Sequence, residues 1–155
     1  MSENDSTDSG TAPVIPYLCV HDAAAAIDLY REALGAVEVD PRFVDSGGRV
    51  GHAEIRIGDA MLMLSDEYPD MGVVSPQTLG NTSCALVLYV PDVDAVAEQA
   101  VAAGMTLEQP VEDKFHGARS GTFRDPFGHR WMLMTQVREV PAADIEAAAE
   151  EFSRT

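Results

Sequence analysis

Residues 22–35 read DAAAAIDLYREALG, and residues 92–104 read DVDAVAEQAVAAG. Each stretch opens on an aspartate, Asp22 or Asp92, whose carboxylate suits a helix N-cap. Each closes on a glycine, Gly35 or Gly104, the residue most at ease in the left-handed turn that ends a helix. Between the caps, Ala23, Ile27, Tyr30 and Leu34 fall on one face of the first helix, and Val93, Val96, Ala97, Ala100 and Val101 on one face of the second. The echo continues beyond the helices: Met63 stands 28 residues after Gly35, and Met132 stands 28 after Gly104. A supersecondary unit used twice in one chain is the economical reading of such an offset.

Outward from the first helix, residues 14–20 read as a short apolar strand. Residues 37–44 and 49–57 read as strands around the Ser46-Gly47-Gly48 turn, and Gly58-Asp59 makes a tight hairpin into residues 60–65. The second half matches, with strands at 84–90, 107–115, 118–124 and 129–136 and Asp125-Pro126-Phe127-Gly128 as its last turn. The expected class is α+β: two paired βαβββ modules forming a curved mixed sheet around a cleft, plus a C-terminal helix. Residues 1–12, rich in Ser, Thr, Asp and Gly, read as a disordered tail. The modules occupy 13–67 and 82–137, joined by a linker at 68–81 that carries Pro69, Gly72, Pro76 and Gly80. Residues 138–155 form the C-terminal helix and tail; its apolar residues are few, which suits an outer surface or a dimer contact.

Composition narrows the function classes. A chain of 155 residues that is 46% hydrophobic suits a soluble globular class, and the formal charge is −16. One lysine, Lys114, stands with nine arginines. Nucleic acid and anionic membrane are therefore excluded as expected partners, since both demand clustered cations. No apolar run reaches a membrane span, and residues 1–5 lack the character of a secretory leader, so the expected localisation is cytoplasmic.

The doubled βαβββ pattern, the Ala26-Ile27-Asp28-Leu29-Tyr30 segment, the Tyr89-Val90-Pro91-Asp92-Val93-Asp94 stretch and the Asp125-Pro126-Phe127-Gly128-His129-Arg130-Trp131 turn together resemble the vicinal oxygen chelate superfamily, which includes glyoxalase I, bleomycin-resistance proteins and extradiol dioxygenases. The Gly51 to Asp59 hairpin and the Arg119-Ser120-Gly121-Thr122 segment most resemble its PhnB-like subgroup. The resemblance implies a metal held by two opening and two closing positions of the modules. Here these are Ile15, Ala85, Met63 and Met132, none of them a hard ligand, so no metal and no other cofactor is expected.

Strand alternation then fills the cleft. With Met63 turned inward, Met61 and Ser65 share its face, and the Gly58-Asp59 turn pairs Arg56 with Met61, Glu54 with Met63 and His52 with Ser65. The opposite face, Ala53, Ile55, Ile57, Leu62 and Leu64, is apolar and suits the helices. In module two the same counting pairs Phe123 with Arg130, Gly121 with Met132 and Arg119 with Met134. Tyr17, Cys19, Val87 and Tyr89 complete the lining. The expected ligand-binding set is thus Tyr17, Arg56, Met61, Met63, Tyr89, Arg119, Phe123, Arg130 and Met132, taking a mostly apolar molecule with an anionic group for arginine to meet.

His52 and Glu54 are the candidates for acid/base catalysis, because imidazole titrates near neutrality. Cys19 and Cys84, on opposite parities of their strands, are expected as free thiols, and Cys19 as a small buried hydrophobe rather than a nucleophile. His116 and His129 are expected in solvent, and Asp66, Glu67 and Asp70 as a solvated acidic loop. The expected function is binding or sequestration of a small organic molecule in the inter-module cleft, by a homodimer. The alternative is a lyase, isomerase or dioxygenase-like enzyme using His52 and Glu54 or an unconventional metal site.

Overall fold

A computed structural model describes residues 14–154; the expected tail at 1–12 lies outside them. Module one contains β1 (Tyr17–Cys19), α1 (Ala23–Leu34), β2 (Val37–Glu38), β3 (Phe43–Val44), β4 (Val50–Ile57) and β5 (Ala60–Ser65). The intervening segment carries a 3-10 turn (Pro69–Met71) and the short helix α2 (Pro76–Leu79). Module two contains β6 (Ala85–Tyr89), α3 (Val93–Ala103), β7 (Thr106–Asp113), β8 (Ala118–Arg124) and β9 (Arg130–Gln136), followed by α4 (Ala142–Phe152).

The caps work as the sequence requires. Asp22 accepts from the backbone N–H of Ala25 and Asp92 from that of Ala95, while the Gly35 and Gly104 N–H groups return to carbonyls of their own helices. Each module builds its own mixed sheet, in the orders β1-β5-β4-β2, with β3 also on β4, and β6-β9-β8-β7. The two first strands run parallel to their last strands, and the register is equivalent: Tyr17 lies opposite Met63 as Val87 lies opposite Met132.

One face of each sheet is closed by its helix, and α1 and α3 pack on each other. Ala53, Ile55, Ile57, Leu62 and Leu64 are all buried there, as alternation predicts for a half-covered strand. The modules are also joined by polar contacts. Gln99 Nε2 donates to the Glu32 carbonyl at 2.6 Å, and the Tyr30 hydroxyl reaches Asp125 at 2.6 Å.

Module two departs from expectation by one residue. The observed partners are Phe123 with Trp131, Thr122 with Met132 and Ser120 with Met134. The cause is the turn. Asp125 N–H bonds to the His129 carbonyl at 3.0 Å, so the loop proper is Pro126-Phe127-Gly128, and Gly128 takes φ +88, a conformation that glycine adopts without a Cβ clash. Counting a four-residue turn shifts every pair and flips the faces.

The linker is ordered rather than plain loop. Tyr68 and Val73 bridge, Glu67 accepts from the Ser75 N–H and the Thr78 hydroxyl, and Pro76 packs under Gly128. The Glu67 carboxyl is held below the usual range by those bonds, the Thr78 hydroxyl foremost. Asp66 accepts from the Ala23 and Val50 N–H groups at 2.7 and 2.6 Å. These two carboxylates are clamps on backbone, not the solvated cluster expected. No buried residue lies on α4, which sits on the outside.

Candidate ligand pocket and acid/base relay

The sheet face of module one that points away from its helix carries Tyr17, His52, Glu54 and Met63 together, because β1 pairs with β5 and β5 with β4. The three polar groups form a chain. Tyr17 Oη lies 3.0 Å from His52 Nδ1, and His52 Nε2 lies 3.1 Å from Glu54 Oε1. A carboxylate only accepts, so in a neutral imidazole the Nε2 proton lies on the glutamate side and Nδ1 accepts from the tyrosine hydroxyl, which also lies 3.3 Å from the Gly51 carbonyl. Both ring nitrogens of His52 are thereby engaged, and Tyr17, the outer member, is the one that lines a cavity.

That cavity measures about 600 Å³, within the usual range for small-molecule sites. Tyr17, Cys19, Gly51 and Ser65 come from the sheet, Phe43 from β3, Asp45 from the turn after it, and Tyr68, Met71 and Val73 from the linker. Phe43, Tyr68, Met71 and Val73 were absent from the expected set. The available signal was three large apolar side chains in a Pro- and Gly-containing linker, which a purely solvated loop has no use for.

Alternation also fails at this point in β4. Val50 and Ala53, three residues apart, are both buried, and the register of β3 on β4 shifts between Phe43 and Val44. A local bulge of this kind turns the chain at Gly51 toward the pocket. A Cβ there would meet Phe43 Cδ1 at 2.9 Å and the Tyr68 hydroxyl at 3.2 Å. The β4–β5 ladder correspondingly runs from Ile57–Ala60 to Ala53–Leu64, so the expected His52–Ser65 pair is not part of it.

The other expected residues are dispersed. Arg56 stands opposite Met61 and Val37, exposed and away from the pocket. Met61 lines a second cavity of about 450 Å³ between the modules, together with Ala85 and Val87. Met132 and Tyr89 lie on the corresponding face of module two, opposite Val87 and Met134. Arg130 faces that side too; its Nε lies 3.1 Å from Glu108, an ion pair without hydrogen-bond alignment, and Glu108 also holds Arg124.

Two placements need correction. Phe123 is fully buried in the core beside Trp131, and Arg119 lies on the helix side of its sheet. Its guanidinium grips the Asp94 carboxylate of α3 through two bonds of 2.8 Å. Both placements follow from the three-residue turn, which sets these side chains on the opposite face. His129 is likewise not left to solvent, since Nε2 meets the Cys19 carbonyl at 2.9 Å and ties module two to module one.

Cys19 and Cys84 are free thiols. Burial, reinforced by the charges of Glu67 and Asp66, pushes the Cys19 thiol from 9.0 up to about 11. It therefore presents about a hundredth of the thiolate of an ordinary cysteine at pH 8, which removes it from the nucleophiles. A thiol-reactive dye at pH 8 is expected to label exposed Cys84 first and Cys19 about tenfold or more slowly, since the higher-pKa thiolate is the stronger nucleophile; equal rates would contradict this environment.

Among the described residues no group of three or more His, Cys, Asp or Glu side chains is placed to hold a metal ion, and no helix is long and apolar enough to cross a membrane. A family model described as the Glyoxalase/Bleomycin resistance protein/Dioxygenase superfamily matches residues 12–133. The uncharacterised protein Mb0911c of Mycobacterium bovis is 43% identical over 136 residues, covering 86% of this chain and 89% of its own length. Rv0887c of Mycobacterium tuberculosis, also uncharacterised, is 43% identical over the same span and is covered over 79% of its length. Among solved structures, protein PA1353 from Pseudomonas aeruginosa is similar at TM-score 0.64 and 25% identity, covering 83% of this chain and all of that one. The fosfomycin resistance protein FosX from Mesorhizobium loti is similar at TM-score 0.61 and 15% identity over 87% of this chain and 97% of its own. The family match spans both modules and the structural likenesses reproduce their arrangement: the chain belongs to the glyoxalase/bleomycin resistance protein/dioxygenase superfamily.

Proposed function

We propose that this protein binds a small, largely apolar organic molecule in the module-one pocket, without a resident metal and as a homodimer. The observation that carries the reading is the pocket itself: about 600 Å³ walled by Tyr17, Phe43, Tyr68 and Met71, with the Asp45 carboxylate in the lining and the Tyr17 ring held from behind by His52. Large apolar walls with few polar groups are the usual make-up of a ligand site. A fosfomycin resistance protein among the structural relatives is in keeping with a small-molecule role, and the Gly51 to Asp59 hairpin favours a PhnB-like placement within the superfamily.

The donor chemistry at the family's metal positions supports metal independence. Ile15 and Ala85 offer no donor, and Met63 and Met132 offer only thioethers, which do not fit a hard divalent centre. Elemental analysis of the purified protein is expected to find no stoichiometric transition metal. A stoichiometric metal that is lost in His52→Ala would sink this reading. Native mass spectrometry of the same preparation is the direct search for a retained organic molecule.

The dimer is supported by the second sheet. Val87 and Tyr89 are more than half exposed on the face of module two that no helix covers, an apolar surface that a second copy would cover. Sedimentation velocity is expected to give a dimer that becomes a monomer in Val87→Glu/Tyr89→Glu; a wild-type monomer at every concentration overturns it.

A second reading is favoured by the Tyr17–His52–Glu54 chain. In an enzyme, His52 backed by Glu54 would take the Tyr17 proton, and the phenolate would meet the bound molecule. Conversion of a captured ligand by wild type, abolished in His52→Gln with binding retained, would establish that reading over simple binding.

A further inference from the structure

We propose that the module-one pocket selects organic cations: a quaternary ammonium or protonated amine carried on an apolar body. The inference rests on the binding role proposed above and adds the charge of what is bound.

The expected partner for an anionic ligand is arginine, and the arginine beside the cavity, Arg49, is already paired with Asp45 at 3.0 Å. Arg56, Arg119 and Arg130 all lie away from the cavity, and no lysine or arginine is among its lining residues. What lines it are three aromatic rings, Tyr17, Phe43 and Tyr68, whose π faces carry the negative lobe of a quadrupole and attract cations. Tyr68 already shows this preference, because the Arg49 guanidinium lies 4.2 Å from its ring centroid.

Carboxylates outnumber cations around the rings. Asp45 is in the lining, where it is paired with Arg49 at 3.0 Å. Behind the floor, Asp66 and Glu67 are held by backbone N–H and hydroxyl donors, with no arginine or lysine on either. Their field reaches the wall, since both charges act on the Cys19 thiol that lines it. A net charge of −16 on the whole chain adds long-range attraction for cations. An anion would enter against all of these terms, and a neutral molecule would gain only from burial.

Three probes of one shape separate the contributions: trimethylphenylammonium, its neutral isostere tert-butylbenzene, and the anion benzenesulfonate. Each is titrated into the full-length protein at low ionic strength, with the backbone amides of Gly51 and Val73 followed by NMR. The cation is expected to shift both amides and to bind about tenfold or more tightly than tert-butylbenzene, an advantage that shrinks in Phe43→Leu. Benzenesulfonate is expected to leave both amides unmoved. Equal binding of cation and isostere overturns the charge selection while leaving an apolar binding pocket. Tighter binding of benzenesulfonate overturns the selection outright. If none of the three perturbs these amides, the pocket is not a ligand site and both proposals fall.

Discussion

Replacing Asp125 with alanine is expected to lower the free energy of unfolding by about 3–5 kcal/mol and the melting temperature by about 10 °C. The carboxylate is buried and receives four bonds. Oδ2 accepts from the Tyr30 hydroxyl at 2.6 Å and Trp131 Nε1 at 2.9 Å, and Oδ1 accepts from the backbone N–H groups of Phe127 at 3.0 Å and His129 at 2.9 Å. Tyr30 and Trp131 are themselves sealed from water, at 0% and 1% exposed, so neither finds a replacement partner there. An unpaired buried donor costs about 1–3 kcal/mol. The site matters beyond its own energy, because Tyr30 belongs to module one and the other three donors to module two. Burial, together with the Asp125 charge, holds the Tyr30 hydroxyl well above its ordinary range, keeping it a donor at any working pH. Urea unfolding of wild type, Asp125→Ala and Asp125→Asn measures the effect. The asparagine, which keeps one acceptor oxygen, should lose less. An alanine variant within about 1 kcal/mol of wild type would show that the carboxylate does not join the modules.

The second large effect is on binding. Gly51→Leu is expected to weaken binding of trimethylphenylammonium about a hundredfold, close to 2.7 kcal/mol, while leaving the fold in place. Any side chain at Gly51 is directed at Phe43 and the Tyr68 hydroxyl, both in the pocket lining. A leucine must therefore occupy the cavity or push the Phe43 ring into it. The fold tolerates this because Phe43 is 64% exposed and can yield, and removing a glycine from a strand reduces the freedom of the unfolded chain. The same NMR titration, paired with a thermal melt, is the check. Retained affinity in a folded Gly51→Leu variant would move the ligand out of this pocket.

How much of this was legible depended on whether a feature was local. The helix caps, the Gly58-Asp59 hairpin and the alternation from Ala53 to Leu64 are set by residues within a few positions of each other, and each is found as read. The Asp125 to Gly128 turn looks equally local, yet its length is fixed by a carboxylate drawn inward to Tyr30, on a helix 95 residues away. That distant bond selects a three-residue loop and shifts Phe123 and Arg119 off the open face. The pocket is non-local for a related reason. Phe43, Tyr68, Met71 and Val73 have no shared period, and only the closure of the linker over the bulge at Gly51 brings them to one cavity.

The sequence by itself determined a doubled βαβββ unit, because caps, turns and alternation are short-range preferences written twice in this chain. Tertiary structure alone decided which side chains meet. Tyr17, His52 and Glu54 become a chain through strand pairing across 35 residues, and the arginines expected at the ligand are drawn off to Asp94, to Glu108 or to an exposed edge. Pairing register and turn length are set by burial of distant groups, and that is information no local window contains.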